Sequence, residues 1–159
     1  MSIRSENIAW KIGAKPVRED MAFEARPGEM LGLLGPNGSG KTSLLRLLAG
    51  LKQPHSGRVL LEDRDIQKIS RKTVAQRVAF VEQHATTHAN LKVEDVVKLG
   101  RVPHRSRFSG WTKADEHAVE EALERSGMAA KRHERWQHLS GGEKQRAHIA
   151  RALAQSPRE

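Results

Sequence analysis

The chain sets short apolar runs between polar turns over its first half and changes to helical spacing over its second. Asn7-Ile8-Ala9-Trp10, Met21-Ala22-Phe23-Glu24-Ala25 and Arg58-Val59-Leu60-Leu61 read as short strands, separated by turns at Arg26-Pro27-Gly28-Glu29 and Gln53-Pro54-His55-Ser56-Gly57. Glu29-Met30-Leu31-Gly32-Leu33-Leu34 is apolar without alternation, the pattern of a buried strand, and Thr42 to Ala49 follows as a helix that stops at Gly50. Val78-Ala79-Phe80-Val81 is a further apolar run, ending where the polar Glu82-Gln83-His84 begins. Lys92 to Leu99 has helical spacing, and Arg101 to Trp111 is a basic Pro/Ser/Gly loop. Thr112 to Ser126 predicts an acidic amphipathic helix capped by Thr112 and closed by Gly127, and Gly141 to Gln155 is the last helix, stopping ahead of Pro157.

Composition sets the outer bounds. The 159 residues suit one domain with a real core, and no fixed-period repeat is present. Lysine and arginine number 28 against 19 acidic residues, a formal charge of +9, with an isoelectric point near 10.4. That balance raises nucleic acid or an anionic membrane surface as partners. The basic residues are spread along the chain, however, and three Trp, three Phe and no Tyr leave few rings to interleave with them. They read as a solvated basic surface, and no direct nucleic acid partner is expected. The absence of cysteine excludes disulfides, thiolate catalysis and cysteine-type zinc sites. His84 with His88 and His133 with His138 lack the spacing and helical context of a zinc pair. No stretch approaches the roughly 18 apolar residues that span a bilayer, so a membrane role has to come through a partner.

Two glycine-rich segments carry the chemistry. Gly35-Pro36-Asn37-Gly38-Ser39-Gly40-Lys41-Thr42 has the form G-x-x-x-x-G-K-[ST], between the apolar run and the first helix. Its glycines let backbone N–H groups curl around phosphate oxygens, the lysine reaches the outer phosphates, and the hydroxyl ligates Mg²⁺. A helix N-terminus favours an anion there through its unpaired N–H groups and its dipole. Leu139-Ser140-Gly141-Gly142-Glu143-Lys144-Gln145-Arg146 opens a second helix in a similar way, with a glycine pair that permits close backbone approach and a serine hydroxyl that can donate. The plainer alternative for this second segment is an N-cap with a flexible glycine pair. Together the two segments point to ATP with Mg²⁺, bound between two copies of the domain.

A P-loop, a glutamine after an apolar strand and L-S-G-G-E-x-Q-R opening a helix resemble ABC-type ATPase domains, and the resemblance covers essentially the whole chain. Leu99-Gly100-Arg101-Val102-Pro103-His104, the Asp115 to Gly127 helix and Ala150-Arg151-Ala152-Leu153-Ala154-Gln155-Ser156-Pro157 are similar in wording to the ATPase subunits of bacterial importers for iron-siderophores, haem and cobalamin. The resemblance implies an α/β fold: a P-loop NTPase core with a parallel sheet, an N-terminal antiparallel β subdomain and a helical subdomain. One domain would cover 1–159, with the β subdomain and P-loop core in 1–89 and the helical subdomain and signature helix in 90–155. Gly35, Asn37, Gly38, Ser39, Gly40 and Lys41 resemble the phosphate cradle, Thr42 the Mg²⁺ ligand, and Ser43 a further donor near the α-phosphate. Gln83 is similar to the family's glutamine that touches Mg²⁺ and the attacking water and links nucleotide to the transport partner, which makes Gln83 and Lys41 the groups nearest the chemistry. Glu82 departs from the pattern, where members often carry proline. Ser140, Gly141 and Gly142 resemble the signature that binds the γ-phosphate held by the opposite subunit. Trp10 lies near the place where the family stacks a ring on adenine, and packing in the strand core is the equal alternative.

The implied partners are a second copy of the ATPase domain, an integral-membrane permease and, indirectly, a periplasmic substrate-binding protein, with the ATPase at the cytoplasmic face of the inner membrane. The Arg101 to His104 turn and its basic neighbours are expected to form a cationic loop that helps dock the permease. Beyond a segment like Pro157-Arg158-Glu159, family members continue into a strand carrying the Walker-B aspartate and catalytic glutamate, then a switch histidine. The expectation is therefore a C-terminally truncated ATPase with little or no turnover alone. The rival readings are a soluble ABC-type ATPase acting on nucleic acid or the ribosome, and a non-catalytic ATP-binding module.

Overall fold

Three of the apolar runs at the front of the chain pair into one antiparallel sheet. In the computed structural model, which describes residues 2–12, 15–83, 90–106 and 109–156, β1 (Ile3–Ile12) is flanked by β2 (Lys15–Ala25) and β3 (Ser56–Leu61), and the short β4 (Arg64–Asp65) completes the order β2-β1-β3-β4. Ile3 stands opposite Ala25 on one side and Leu61 on the other. The register slips on both sides of β1 around Asn7, which sits at φ 46, a conformation asparagine tolerates better than most residues. Ile8 and Trp10, two apart and so on one face of β1, are both buried, as are Val59, Leu60 and Leu61 of β3.

Helix α1 (Lys41–Leu48) buries Leu44, Leu47 and Leu48, an i, i+3, i+4 stripe. It stops where the sequence places the stop. Gly50 takes φ 70, and the Leu51 N–H returns to the Arg46 carbonyl at 2.8 Å while the Gly50 N–H returns to Leu47 at 3.0 Å, which satisfies two of the carbonyls the helix end leaves open.

The structure divides into two compact units, Met1–Val74 and Ala75–Arg158, so the division falls inside helix α2 (Arg71–Arg77), ahead of the change in composition near residue 90. The second unit is helical: α3 (Val93–Lys98), a 3-10 turn at Leu99–His104, α4 (Lys113–Arg125) and α5 (Gly141–Ala154). Its core joins Val93, Val96 and Val97 of α3 to Val119, Ala122 and Leu123 of α4 and to Ala147, Ala150 and Ala154 of α5, closed by Met128, Trp136 and Leu139. Both long helices start on capping boxes written locally in the sequence. Thr112 Oγ1 accepts from the Asp115 N–H at 3.1 Å and Asp115 accepts from the Thr112 N–H at 3.1 Å; Ser140 and Glu143 repeat the arrangement on α5.

Two expected features differ in the structure. Glu29 to Leu34 forms no strand, Met30 and Leu34 are 97% and 93% exposed, and all strand pairing among the described residues is antiparallel. A strand buried on both faces exists only where neighbours accept from its N–H groups and donate to its C=O groups, and no described segment does so. The expected basic loop, in turn, begins as the 3-10 turn, and Arg101 is buried in it. Its guanidinium pairs through Nε with Asp115 at 2.9 Å, and its Nη1 donates to the Ala154 carbonyl at 2.8 Å and to Ser156 Oγ at 3.2 Å. Burial pushes the Asp115 carboxyl up, but the Arg101 and Thr112 hydrogen bonds outweigh it and hold the group below the usual range. Gly100 is required beside it, since a Cβ there would stand 2.3 Å from the Arg151 carbonyl oxygen.

Candidate functional site

The P-loop is held in shape by its own backbone. Gly38 at φ 81 and Gly40 at φ 91 take left-handed conformations that other residues adopt at a cost, and the chain turns through them from the exposed Gly35-Pro36-Asn37 into α1. Ser39 is half-buried, and its N–H donates to the Pro36 carbonyl at 3.3 Å. The first bond of the α1 ladder runs from the Leu44 N–H to the Gly40 carbonyl at 2.9 Å, so the N–H groups of Lys41, Thr42 and Ser43 lie ahead of the ladder. No side chain caps this helix. Its first turn therefore presents donors and the positive end of the dipole to whatever occupies the loop.

Lys41 folds back across the loop. Its Nζ donates to the carbonyls of Gly35 at 2.7 Å and Pro36 at 2.8 Å, which places the ammonium at the mouth of the turn. Thr42, next along, is exposed, and Ser43 is half-buried. The donor set suits a phosphate chain carrying Mg²⁺: uncapped N–H groups and a cation for the phosphates, and a solvent-facing hydroxyl for the metal.

The other glycine motif lies in the helical unit. Ser140 Oγ accepts from the Glu143 N–H at 3.3 Å, while the Ser140 N–H donates to Glu143 Oε2 at 2.8 Å. Glu143 also pairs with Lys131. The Lys131 ammonium first, and the Ser140 N–H and hydroxyl after it, draw the Glu143 carboxyl from 4.5 down to about 2, so it stays ionised and the cap stays closed at any ordinary pH. A Cβ added at Gly141 would meet nothing within 4 Å, and one at Gly142 would meet only the end of Arg146 at 4.0 Å. Packing within the chain thus gives no reason for two glycines in a first helical turn. The space above them is open among the described residues, at the positive end of a 14-residue helix.

The remaining expected site residues are placed as follows. Gln83 is exposed at the end of the described segment 78–83, in the helical unit; His84 and His88 lie outside the described residues. Trp10 is 2% exposed, packed in the interior of the β unit on β1, an inner strand of the sheet. His133 and His138 bind carboxylates, Glu94 at 3.2 Å and Glu134 at 3.0 Å, and among the described residues no cluster of His, Asp and Glu could hold a metal ion. No described helix is long and apolar enough to cross a membrane. Sequence reading missed Lys131, whose contact with Glu143 spans 12 positions, and Gln155, which reaches back to the backbone of Ala75 and Val78. Neither contact has a local signature.

A family model described as ABC transporter matches residues 18–158. The ferric enterobactin transport ATP-binding protein FepC of Escherichia coli (strain K12) is 39% identical over 153 residues, which is 96% of this chain and 56% of that protein. The hemin import ATP-binding protein HmuV of Pseudomonas aeruginosa is 42% identical over 153 residues, 96% of this chain and 58% of that protein. Among solved structures, cbiO1 from Clostridium perfringens, part of the ABC transporter complex cbiONQ, superposes with a TM-score of 0.80 at 25% identity, covering 98% of this chain and 62% of that one. The chain thus spans somewhat over half the length of the relatives it matches.

Proposed function

We propose, from the premise that the chain belongs to the ABC transporter ATP-binding family, that it binds and hydrolyses ATP to energise import of an iron-siderophore, haem or cobalamin-type substrate. The observation that carries this reading is the pair of anion-ready helix starts: an uncapped α1 under Lys41, and an α5 that opens on two glycines with empty space above them. The FepC and HmuV relatives support the substrate class.

In this reading Lys41 exchanges the carbonyls of Gly35 and Pro36 for the outer phosphates, a swap of neutral acceptors for charged ones that strengthens its hydrogen bonds. The N–H groups of Gly38, Gly40, Lys41, Thr42 and Ser43 cradle the phosphates, beside Gly35, Asn37 and Ser39. Thr42 Oγ1 would hold Mg²⁺, and Gln83 is the further residue that the family likeness assigns to it. When bound, the ion would supply positive charge to the phosphates. Gln83 orients water, since phosphoryl transfer depends on positioning more than on covalent help from the protein. Ser140, Gly141 and Gly142 receive the γ-phosphate held by a second copy, so that ATP joins two copies and its hydrolysis releases them. The differential affinity of the joined pair for ATP is what can drive a membrane permease between its states. The proposed setting is the cytoplasmic face of the inner membrane, with a permease and a periplasmic binding protein as partners.

Two measurements test this. Light scattering with ATP in the absence of Mg²⁺ should show pairing that Ser140→Arg abolishes while the variant still binds ATP; pairing indifferent to ATP or to the substitution would refute the shared site. Disrupting the gene should abolish uptake of a labelled ferric siderophore, haemin or cobalamin. Unchanged uptake of all three, with the chain sedimenting on ribosomes, would favour the translation-type rival instead.

A further inference from the structure

Gln155 stands at the far end of the helix that begins at Ser140, roughly 20 Å away along the axis at 1.5 Å per residue. Its side-chain amide turns back onto the segment that leads to Gln83. Nε2 donates to the Val78 carbonyl at 2.7 Å and also to the carbonyl of Ala75, so both amide hydrogens are used. Ala75 belongs to the last turn of α2 and Val78 follows its end, where helix geometry leaves carbonyls without partners in the ladder. One side chain at the C-terminal cap of α5 thus closes the end of α2.

Neighbouring contacts bind the same two segments. His104 Nε2 donates to the Gln155 carbonyl at 2.7 Å, Gln76 Nε2 donates to the Pro103 carbonyl at 2.9 Å, and Arg151 Nη2 reaches the Phe80 carbonyl at 3.4 Å. Arg101 fixes the Ala154 carbonyl and Ser156 from the other side. Phe80 is three residues from Gln83, and the helix that supplies Gln155 and Arg151 is continuous from Gly141 to Ala154.

We propose that Gln155 is a positioning residue for Gln83: by holding the carbonyls of Ala75 and Val78 it fixes the backbone that delivers Gln83 and couples it to the helix that opens at Ser140. A phosphate that draws the Ser140 end of α5 is thereby coupled to the backbone at Ala75, Val78 and Phe80, the stretch that leads to Gln83. The proposal rests on the reading of Gln83 as a nucleotide-facing residue, but the clamp itself can be tested without nucleotide.

Gln155→Met keeps the length and loses the donors, and Gln155→Glu, when ionised, carries acceptors only. Native-state trypsin cleavage after Arg77, followed by mass spectrometry on the full chain, reports local opening of the clamped segment. Both variants should speed cleavage after Arg77 by about tenfold while cleavage after Arg125, in α4, changes by less than about twofold. Equal rates at Arg77 in all three proteins would overturn the proposal, and so would parallel acceleration at Arg77 and Arg125, which would mark Gln155 as a general stabiliser of the unit. Mg²⁺ and ATP should slow cleavage after Arg77 in the native sequence and lose that effect in Gln155→Met. If ATP protects neither protein while the variant still opens at Arg77, the clamp stands and the nucleotide-facing reading of Gln83 is the part that fails.

Discussion

Lys41 and Arg101 are both cations bonded to backbone carbonyls, yet their surroundings give them opposite uses. Lys41 spans the exposed carbonyls of Gly35 and Pro36 and can trade them for phosphate; Lys41→Ala should weaken ATP binding by about 3 kcal/mol, roughly a hundredfold, in a calorimetric titration. Arg101 cannot leave. Its partner Asp115 is only 4% exposed, so Arg101→Met leaves a buried carboxylate without its cation and should cost about 3–5 kcal/mol in urea unfolding of the helical unit. Because the Asp115 carboxyl is held below its ordinary value, its contribution is complete above about pH 4 and is lost as pH falls through the lower folded value. Glu143, lowered to about 2, adds a loss of the same sign as pH falls. Replacing Arg101 and Asp115 together by Met and Leu should recover much of the stability and flatten this acid limb, and a steep limb in the double variant would remove the pair as its cause. The permease-docking role expected of Arg101 from sequence does not fit a side chain used internally; Val102, 60% exposed, is the residue of that turn that faces outward.

At the scale of single elements, α4 and α5 were legible because their signals are local. Thr112 and Asp115, like Ser140 and Glu143, lie three apart, and the boxes they form need nothing from the rest of the chain. The P-loop turn and α1 were legible for the same reason. The segment 29–34 was not, since an apolar run becomes a strand only through partners distant in sequence, and Trp10 kept two readings because sequence cannot say which strand is central. The 3-10 turn was hidden by its composition: Arg101, Pro103 and His104 look solvent-bound until the contact with Asp115 and the end of α5 is known. The glycine pair of α5 offers a sharp test at this scale. Nothing in the chain obstructs a methyl at Gly141, so Gly141→Ala should stabilise the helical unit by up to about 1 kcal/mol in thermal unfolding. The same substitution should weaken ATP-dependent pairing measured by light scattering. Gain of stability without loss of pairing would show that the glycine serves neither packing nor phosphate.

For the molecule as a whole, the exposed Met30, Leu31, Leu33 and Leu34 form a contiguous apolar stretch that pairs with no strand among the described residues, the kind of surface through which chains associate. Substituting Met30→Lys and Leu34→Glu should slow the concentration-dependent rise in turbidity on warming, and no change would locate the association elsewhere. The charge of +9 does not oppose this locally, because the stretch carries no charge between Met30 and Leu34. The helical unit contains the opposite kind of surface, in the seam where Gly100 rests on the Arg151 carbonyl with no side chain between them. Backbone packed this closely, with the Ala154 methyl beside it, leaves little room for a void. Hydrostatic pressure unfolds proteins through the empty volume that unfolding removes, and this seam has little to surrender. Under compression the 3-10 turn and the end of α5 should therefore stay joined after looser parts of the helical unit have filled with water, and a methyl at Gly100, by wedging the two backbones apart, would make the seam the place where water first enters.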